Sequence, residues 1–280
     1  MKVIVCSKKD TASQNIKNIL LSLESFDEKN TGEYKLYIAE DFAIAEIEER
    51  LIYADFVDLK LSKHLKVDEL LFASRHSSKD GRKIFTVHVS GNIGTADFGG
   101  KPYSLAKPSP FTMKNYTLSL KEKLPRKPEF TFTLEVTHHG PSEISTPSAF
   151  YEIGSTEEEW KDEEAASIVA ESLLDALKDK RKGWKVAVGV GGTHYAPRQT
   201  EIMLNTVFTF GHNFAKYTFE QLTAEFLANA IKISEAEFIV YDEKSVTSSV
   251  KNMVFAVADT LGIDVLKSKK VKKDYALSPS

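Results

Sequence analysis

The 280-residue sequence predicts a layered α/β fold, and three observations support this prediction. The chain opens with a short apolar strand at 2–6, and a segment with an apolar stripe at helical spacing follows it. Several other apolar runs of strand length end directly in loops that contain glycine and histidine. The last quarter of the chain alternates helical and strand patterns again. Such alternation is typical of proteins in which helices cover a sheet.

The first half of the chain predicts two helices and four further strands. Asp10 or Thr11 can cap the first helix, and Ile16, Leu20 and Leu23 lie on its apolar stripe. Pro108 opens a second helix that extends to about Lys121. The strands are predicted at 34–39, 51–57, 69–74 and 84–89. Four glycines within 91–100 indicate a backbone with unusual torsions or close neighbours.

The second half predicts three helices between six strands. Thr156 and Glu159 form a capping box at the start of the clearest helix, and Gly183 marks its end. The other helices are expected near 219–231 and at 247–261. The strands are expected at 130–136, 149–153, 184–190, 206–210, 238–241 and 263–266.

Composition limits the classes of function. The net charge of -3 excludes a polycation, so a nucleic-acid partner would have to bind a local basic patch. A single cysteine, Cys6, excludes an internal disulfide and a thiolate zinc cage, and in a first strand it is more often a buried apolar residue than a nucleophile. The sequence shows no leader and no apolar run near the roughly 18 residues of a membrane span, so we expect a cytoplasmic protein.

We predict one integrated catalytic domain over 1–266. The charged, proline-containing break at 121–128 could be a boundary, but histidine motifs lie on both sides of it. Residues 267–280 are lysine-rich, and we expect a basic, flexible tail that is peculiar to this chain.

Six of the seven histidines lie in short runs of small, polar and glycine residues: His76, His88, His138, His139, His194 and His212. Imidazole titrates near neutral pH and binds zinc well. Because ligands bind where strand ends converge in α/β sheets, these motifs predict the rim of one site. The alternative for any single strand-end histidine is an ordinary hydrogen-bonded structural residue. The density of histidines favours an enzyme, most simply a hydrolase.

A metal site would have to use histidines together with Glu135, Glu143 or Glu152, since no thiolate set exists. The helical His-Glu-x-x-His pattern is absent from the sequence. Neighbouring strand residues face opposite ways, so His138 and His139 could bind one metal only where the strand has ended or bulged.

Other motifs give weaker indications. The run 189–194 resembles a phosphate loop but lacks the Walker lysine; its glycine amides could instead face an oxyanion. No Gly-x-Ser-x-Gly elbow is present, so Ser74, Ser77 and Ser78 are interpreted as polar lining. Four cations near these loops could hold phosphates or be plain surface charge: Arg75, Lys79, Lys101 and Arg198.

Taken together and in order, these motifs resemble the archaeal-type D-aminoacyl-tRNA deacylases, which have relatives in plants. The matching runs span about residues 1–212 and include Phe72-Ala-Ser-Arg-His-Ser-Ser78, His88-Val with Gly91-Asn92, Gly99-Gly100-Lys101, Thr137-His-His-Gly-Pro141, Glu157-Glu-Glu-Trp160, Gly191-Gly192 with His194-Tyr-Ala-Pro197, and Phe210-Gly-His212.

The resemblance implies hydrolysis of the ester between a D-amino acid and the 3′-terminal ribose of tRNA. It implies a three-layer α/β/α sandwich with a mixed sheet, similar to phosphorylases and hydrolases, and zinc as cofactor. The partner would be tRNA carrying a D-amino acid; neither a membrane nor a protein partner is implied.

We assign roles from chemistry. His76, His138, His139 and His194 are the catalytic candidates, and His88, His138, His139 and His194 are the candidate metal ligands. Arg75 and Ser77 are expected to hold the terminal nucleotide, Asn92 and Tyr195 the free amine, and the amides of Gly191 and Gly192 the oxyanion.

Three other functions stay open. A peptidyl-tRNA hydrolase or another metal-dependent amidase or esterase could use the same scaffold. A tRNA-binding module without catalysis would show RNA affinity but no turnover. A nucleoside phosphorylase is compatible with the fold alone, but a fold does not determine function.

Overall fold

Two β-sheets form the framework of the protein in the computed structural model, which describes residues 1–278. The strands are β1 Lys2–Ser7, β2 Asp27–Asn30, β3 Lys35–Ile38, β4 Phe42–Ile47, β5 Glu69–Arg75, β6 Ile84–His88, β7 Gly91–Asn92, β8 Ser104–Leu105, β9 Thr131–Leu134, β10 Ser148–Gly154, β11 Lys185–Val190, β12 Phe208–Phe214, β13 Phe238–Tyr241 and β14 Asp264–Lys267. The helices are α1 Thr11–Leu23, α2 Val57–Leu61, α3 Pro110–Lys123, α4 Glu157–Trp160, α5 Glu163–Lys178, α6 Pro197–Asn205, α7 Ala224–Ile233, α8 Ser248–Leu261 and α9 Ser268–Asp274.

The larger sheet has eight strands in the order β2-β3-β4-β1-β5-β10-β6-β9. Strands β4, β1, β5 and β10 are parallel, β6 runs antiparallel to β10, and β9 is parallel to β6. The predicted α/β class and mixed sheet are therefore confirmed. This strand order also places β10 between β5 and β6, which decides the composition of the site.

Helices cover both faces of this sheet because apolar residues alternate along its strands. In β1, Ile4 and Cys6 pack in one cluster with α1 and α5, whereas Val3 and Val5 pack on the opposite face with α2. The thiol of Cys6 is fully buried, and burial raises its pKa to about 12. Cys6 is therefore a core residue and not a nucleophile.

A second sheet of four parallel strands, in the order β12-β11-β13-β14, is not part of the prediction. One face, with Val188 and Ile239, packs in a cluster with α7 and α8. Residues of the other face, including Phe208 and Phe210, share one hydrophobic cluster with Ile4 of the larger sheet. Within residues 1–278 no helix is long and apolar enough to cross a membrane.

Two predicted elements, a strand and a helix, differ from the structure. The strand expected at 51–57 is a 3-10 turn at Leu51–Tyr53 followed by α2, because Leu51, Ala54, Val57 and Leu61 have helical spacing and bury one face. The helix after Thr156 breaks after Trp160, where Asp162 caps α5 by accepting from the Ala165 amide at 2.8 Å.

The segment that was expected to be a flexible tail is ordered over most of its length. Helix α9 buries Val271 completely, and the Val207 amide donates to the Tyr275 carbonyl at 3.0 Å. Residues 279–280 of the predicted tail lie outside the described residues. One integrated domain over 1–266 stays a prediction.

Candidate active site: a cluster of five imidazoles and two carboxylates

Side chains from five separate segments converge at one position on the larger sheet. They are His76, His88, Glu135, His138, His139, Glu152 and His194. The ring centroid of His138 lies 4.3 Å from that of His88, 4.4 Å from that of His139 and 4.7 Å from that of His194. The structure thus brings together all the histidines that were proposed to bind metal or act in catalysis.

His88, His138 and His139 form the first part of the cluster. The Nδ1 atoms of His138 and His139 lie 2.8 Å and 2.6 Å from the carbonyls of Val136 and Gly140, and Nδ1 of His88 lies 3.3 Å from the Val89 carbonyl. Nδ1 can donate in each case, which leaves Nε2 as the free nitrogen of a neutral ring. Burial disfavours the charged form of His88, but Glu152, 3.6 Å from its Nε2, raises the pKa of His88.

The chain turns at His139, and this turn places both members of the histidine pair in the cluster. β9 has already ended at Leu134, and His139 adopts a left-handed conformation with φ 43°. The condition that the strand must have ended before both imidazoles can share a site is therefore met. Burial holds the pKa of His138 well below its usual range and lowers that of His139 to about 4, so both rings are neutral.

The donor chemistry of this triad fits zinc. One ligand-type atom each from His88, His138 and His139 lies within 4.8 Å of the others. Nε2 of His88 is buried and has no hydrogen-bond partner among residues 1–278. Zinc-binding histidines commonly donate their second ring N–H to a carbonyl or carboxylate, as the Nδ1 atoms can here.

His194 and Glu135 form the second part of the cluster. Nε2 of His194 lies 2.7 Å from Oε1 of Glu135, and its Nδ1 lies 3.1 Å from the hydroxyl of Tyr217. The Glu135 carboxylate is fully buried, whereas the His194 side chain is 35% exposed. Each ring nitrogen of His194 has a side-chain contact, and one of its ligand-type atoms lies within 4.8 Å of those of Glu135 and His138, so its predicted role as a metal ligand stays a prediction.

Within the cluster, His76 links the two carboxylates. Its Nδ1 is 3.3 Å from Glu135 and 3.7 Å from Glu152, and its Nε2 is 3.3 Å from the Tyr195 hydroxyl. Burial disfavours the charged ring, but the two carboxylates beside Nδ1 raise the pKa of His76 to about 11. A buried imidazolium cannot accept a proton, so the geometry assigns His76 a positioning role.

The buried carboxylates are ionised. Burial alone would raise their pKa values, but hydrogen bonds from His194 and His76 hold the pKa of Glu135 well below its usual range. The imidazoles of His76 and His88, 3.7 Å and 3.6 Å from the Glu152 carboxylate, lower the pKa of Glu152 to about 2. Thr86 also donates to Glu152 at 2.9 Å.

Three of the four predicted substrate-binding side chains are engaged in other contacts. The Asn92 amide donates to the carbonyls of Gly99 and Lys101, and the Tyr195 hydroxyl donates to Asp80 at 3.3 Å. The Arg75 guanidinium lies over the Trp160 ring at 4.8 Å. Ser77 is exposed in the loop that follows His76.

The two glycine amides are not free to bind an oxyanion. The Gly191 amide donates to the Phe214 carbonyl at 2.7 Å, and the Gly192 amide donates to Ser245 Oγ at 2.7 Å. The left-handed glycines therefore shape the turn that leads to His194, and the predicted oxyanion role is not supported.

Two candidate residues lie outside the cluster. His212 is inside β12, fully buried between Thr137 and the Ala106 carbonyl, and burial lowers its pKa to about 3. Glu143 binds Lys101 and Ser104. By contrast, no sequence pattern pointed to Tyr217 or Thr86, because each reaches the site only through the packing of distant segments.

Comparisons with known proteins agree in one family. The sequence model of the D-aminoacyl-tRNA deacylases matches residues 63–266. The chain is 72% identical to the D-aminoacyl-tRNA deacylase of Archaeoglobus fulgidus over 99% of this chain and 100% of that protein, so the segment after residue 266, expected to be peculiar to this chain, has a counterpart in that relative.

A more distant relative of the same family and a solved structure also match the chain. The D-aminoacyl-tRNA deacylase of Pyrococcus furiosus is 39% identical over 95% of this chain and 100% of that protein. A crystal structure of a conserved protein of unknown function is 71% identical, covers 99% of both chains and superposes with a TM-score of 0.98. The chain belongs to the D-aminoacyl-tRNA deacylase family.

Proposed function

We propose that this protein hydrolyses the ester bond of D-aminoacyl-tRNA and releases the D-amino acid and tRNA. Membership of the family supports the reaction, and one observation supports the site: the buried Glu135 carboxylate holds the solvent-facing imidazole of His194 beside three further histidines. A charged tRNA as substrate supports the proposal that the protein acts in the cytoplasm, where charged tRNA is used.

His194 is the group that removes a proton from water. Glu135 accepts the Nε2 proton of His194, which leaves the Nδ1 lone pair facing the Tyr217 hydroxyl at 3.1 Å; the attacking water would take the place of that hydroxyl at Nδ1. An aminoacyl ester is an activated substrate, so an aimed and partly deprotonated water is sufficient for attack. Glu135 stabilises the imidazolium that forms, and His76 keeps Glu135 in place.

His88, His138 and His139 would hold a zinc ion. Bound zinc would supply Lewis acidity and lower the pKa of a coordinated water. The carbonyls of Val136 and Gly140 fix the orientation of two of the three rings. Discrimination between enantiomers then depends on shape, through a wall that an L side chain meets and a D side chain avoids.

The direct test is an assay of purified protein on D- and L-aminoacyl-tRNA and on N-blocked peptidyl-tRNA. We expect cleavage of the D substrate, and loss of that activity and of bound zinc after exhaustive chelation. Equal cleavage of both enantiomers would exclude the proofreading function, and preferred cleavage of peptidyl-tRNA would identify the alternative hydrolase. Activity that survives complete metal removal would exclude zinc. RNA binding without turnover would identify a binding module.

Variants at two histidines test the division of roles. His194→Ala should lower kcat by about a hundredfold or more and leave the zinc content unchanged. His138→Ala should lower both kcat and zinc content. His64→Ala is the matched control because His64 packs against Tyr34, outside the cluster, and it should keep full activity. Full activity in both cluster variants would make these histidines structural.

A further inference from the structure

One exposed aromatic residue lies on a closely packed loop whose backbone is bonded to the segment that carries His138 and His139. Phe98 is 66% exposed, and its carbonyl accepts from the Gly140 amide at 3.0 Å, next to His139. Single exposed apolar residues are common, so the exposure of Phe98 alone indicates nothing. The construction of its loop is what requires an explanation.

The loop around Phe98 has little freedom to move. Asn92 donates to the carbonyls of Gly99 and Lys101, and the Lys101 amide donates to Ser142 at 2.8 Å. A Cβ atom on Gly99 would lie 1.9 Å from the Ile52 carbonyl oxygen. The loop is thus closely packed at its base while its phenylalanine ring stays in solvent.

An exposed ring on such a closely packed loop can stack against a nucleobase. Single-stranded RNA ends are recognised chiefly by base stacking on aromatic side chains, and this contact does not need positive charge. The protein carries a net charge of -3, so it cannot rely on a general attraction for phosphates. Lys101, with a side chain 62% exposed, is a cation three residues from Phe98.

We infer that Phe98 stacks on a nucleobase of the single-stranded 3′ end of tRNA and thereby positions the terminal ester at the histidine cluster. The inference rests on the proposed function and adds a substrate-positioning residue to it. Phe98 touches the nucleic acid and not the reacting bond, so its loss should weaken binding without slowing the chemical step.

The experiment measures binding and turnover for Phe98→Ala, Phe98→Trp and a matched control. Phe255→Ala is the control, because Phe255 is also exposed but lies on α8. We expect Phe98→Ala to raise the Kd for a short RNA ending in CCA and the KM for D-aminoacyl-tRNA by about tenfold, with little change in kcat. Phe98→Trp should restore both constants, and Phe255→Ala should leave them unchanged.

A second substrate separates stacking from other roles. On the ethyl ester of a D-amino acid, which has no nucleobase, Phe98→Ala and the wild type should react alike. An equal loss on this ester, or an unchanged Kd for the RNA, would overturn the inference. If the wild type fails to cleave D-aminoacyl-tRNA but its RNA binding still depends on Phe98, the proposed function fails and the stacking role stands.

Discussion

At the scale of the residue, Glu135 is the carboxylate that connects two imidazoles of the site. One of its oxygens lies within 2.7 Å of His194 and 3.3 Å of His76, and the side chain is completely buried. A buried carboxylate is costly unless it is paired, and here two imidazoles pair with it. Glu135 therefore both organises the cluster and selects the tautomer of His194.

Replacing this charge should affect catalysis more than binding. We expect Glu135→Gln to lower kcat for D-aminoacyl-tRNA by about a hundredfold or more, with KM nearly unchanged, because His194 loses the carboxylate that stabilises its charged form. Steady-state kinetics measure both constants. Glu143→Gln is the control, since Glu143 binds Lys101 and Ser104 outside the cluster, and it should keep the wild-type kcat. A Glu135→Gln enzyme with normal kcat would contradict the assignment.

At the scale of the element, α6 connects the site to the core. The helix begins at Pro197, directly after the His194 loop, and its last carbonyls are capped by lysines of α3. Buried Lys114 donates to the carbonyls of Met203 and Thr206, and exposed Lys121 donates to the Leu204 carbonyl.

These two lysines are a matched pair for a stability measurement. Lys114→Met leaves two buried carbonyls without a donor, so it should lower the free energy of unfolding by about 2–4 kcal/mol. Lys121→Met should change it by less than about 0.5 kcal/mol, because water can replace its hydrogen bonds. Equilibrium denaturation measures the free energy of unfolding of both variants. Equal changes in the two variants would contradict the importance of the buried hydrogen bonds of Lys114.

The buried amine of Lys114 also predicts that the stability of the protein depends on pH. Burial lowers the pKa of Lys114 to about 7, against about 10.4 in an unfolded chain. Between these values the folded protein binds fewer protons than the unfolded chain, so the contribution of this group to stability rises with pH. The difference in unfolding free energy between wild type and Lys114→Met should grow from about pH 7 to about pH 10. A difference independent of pH would show that Lys114 is charged throughout.

At the scale of the whole molecule, the end of the chain closes the second sheet. Tyr275 packs on Phe208 at 5.1 Å, the Leu277 amide donates to the Asn205 carbonyl, and Lys272 pairs with Glu201 of α6. A chain that ends after Lys267 loses all these contacts and the buried Val271.

This truncation should lower the free energy of unfolding by about 2–5 kcal/mol, comparable to the loss of large buried side chains. Thermal and chemical denaturation measure the change. Val271→Ala, which removes only part of the packing, should have a smaller effect in the same direction. Unchanged stability after truncation would restore the interpretation of a flexible tail.

The sequence by itself determined the features that depend on local patterns. Amphipathic spacing and capping residues identified α1, α5 and α8, and apolar runs identified most strands and the histidine motifs at their ends. The short run at 51–57 was misinterpreted because strand and helix patterns differ little over so few residues.

Only the tertiary structure decided which candidates share a site. His212 and His194 occur in similar glycine-containing runs, but β12 continues through His212 and buries it. Glu152 enters the cluster because β10 lies between β5 and β6, which places its carboxylate between His76 and His88. Strand order and the turn at His139 depend on contacts between distant segments, and periodicity within one segment carries no information about them.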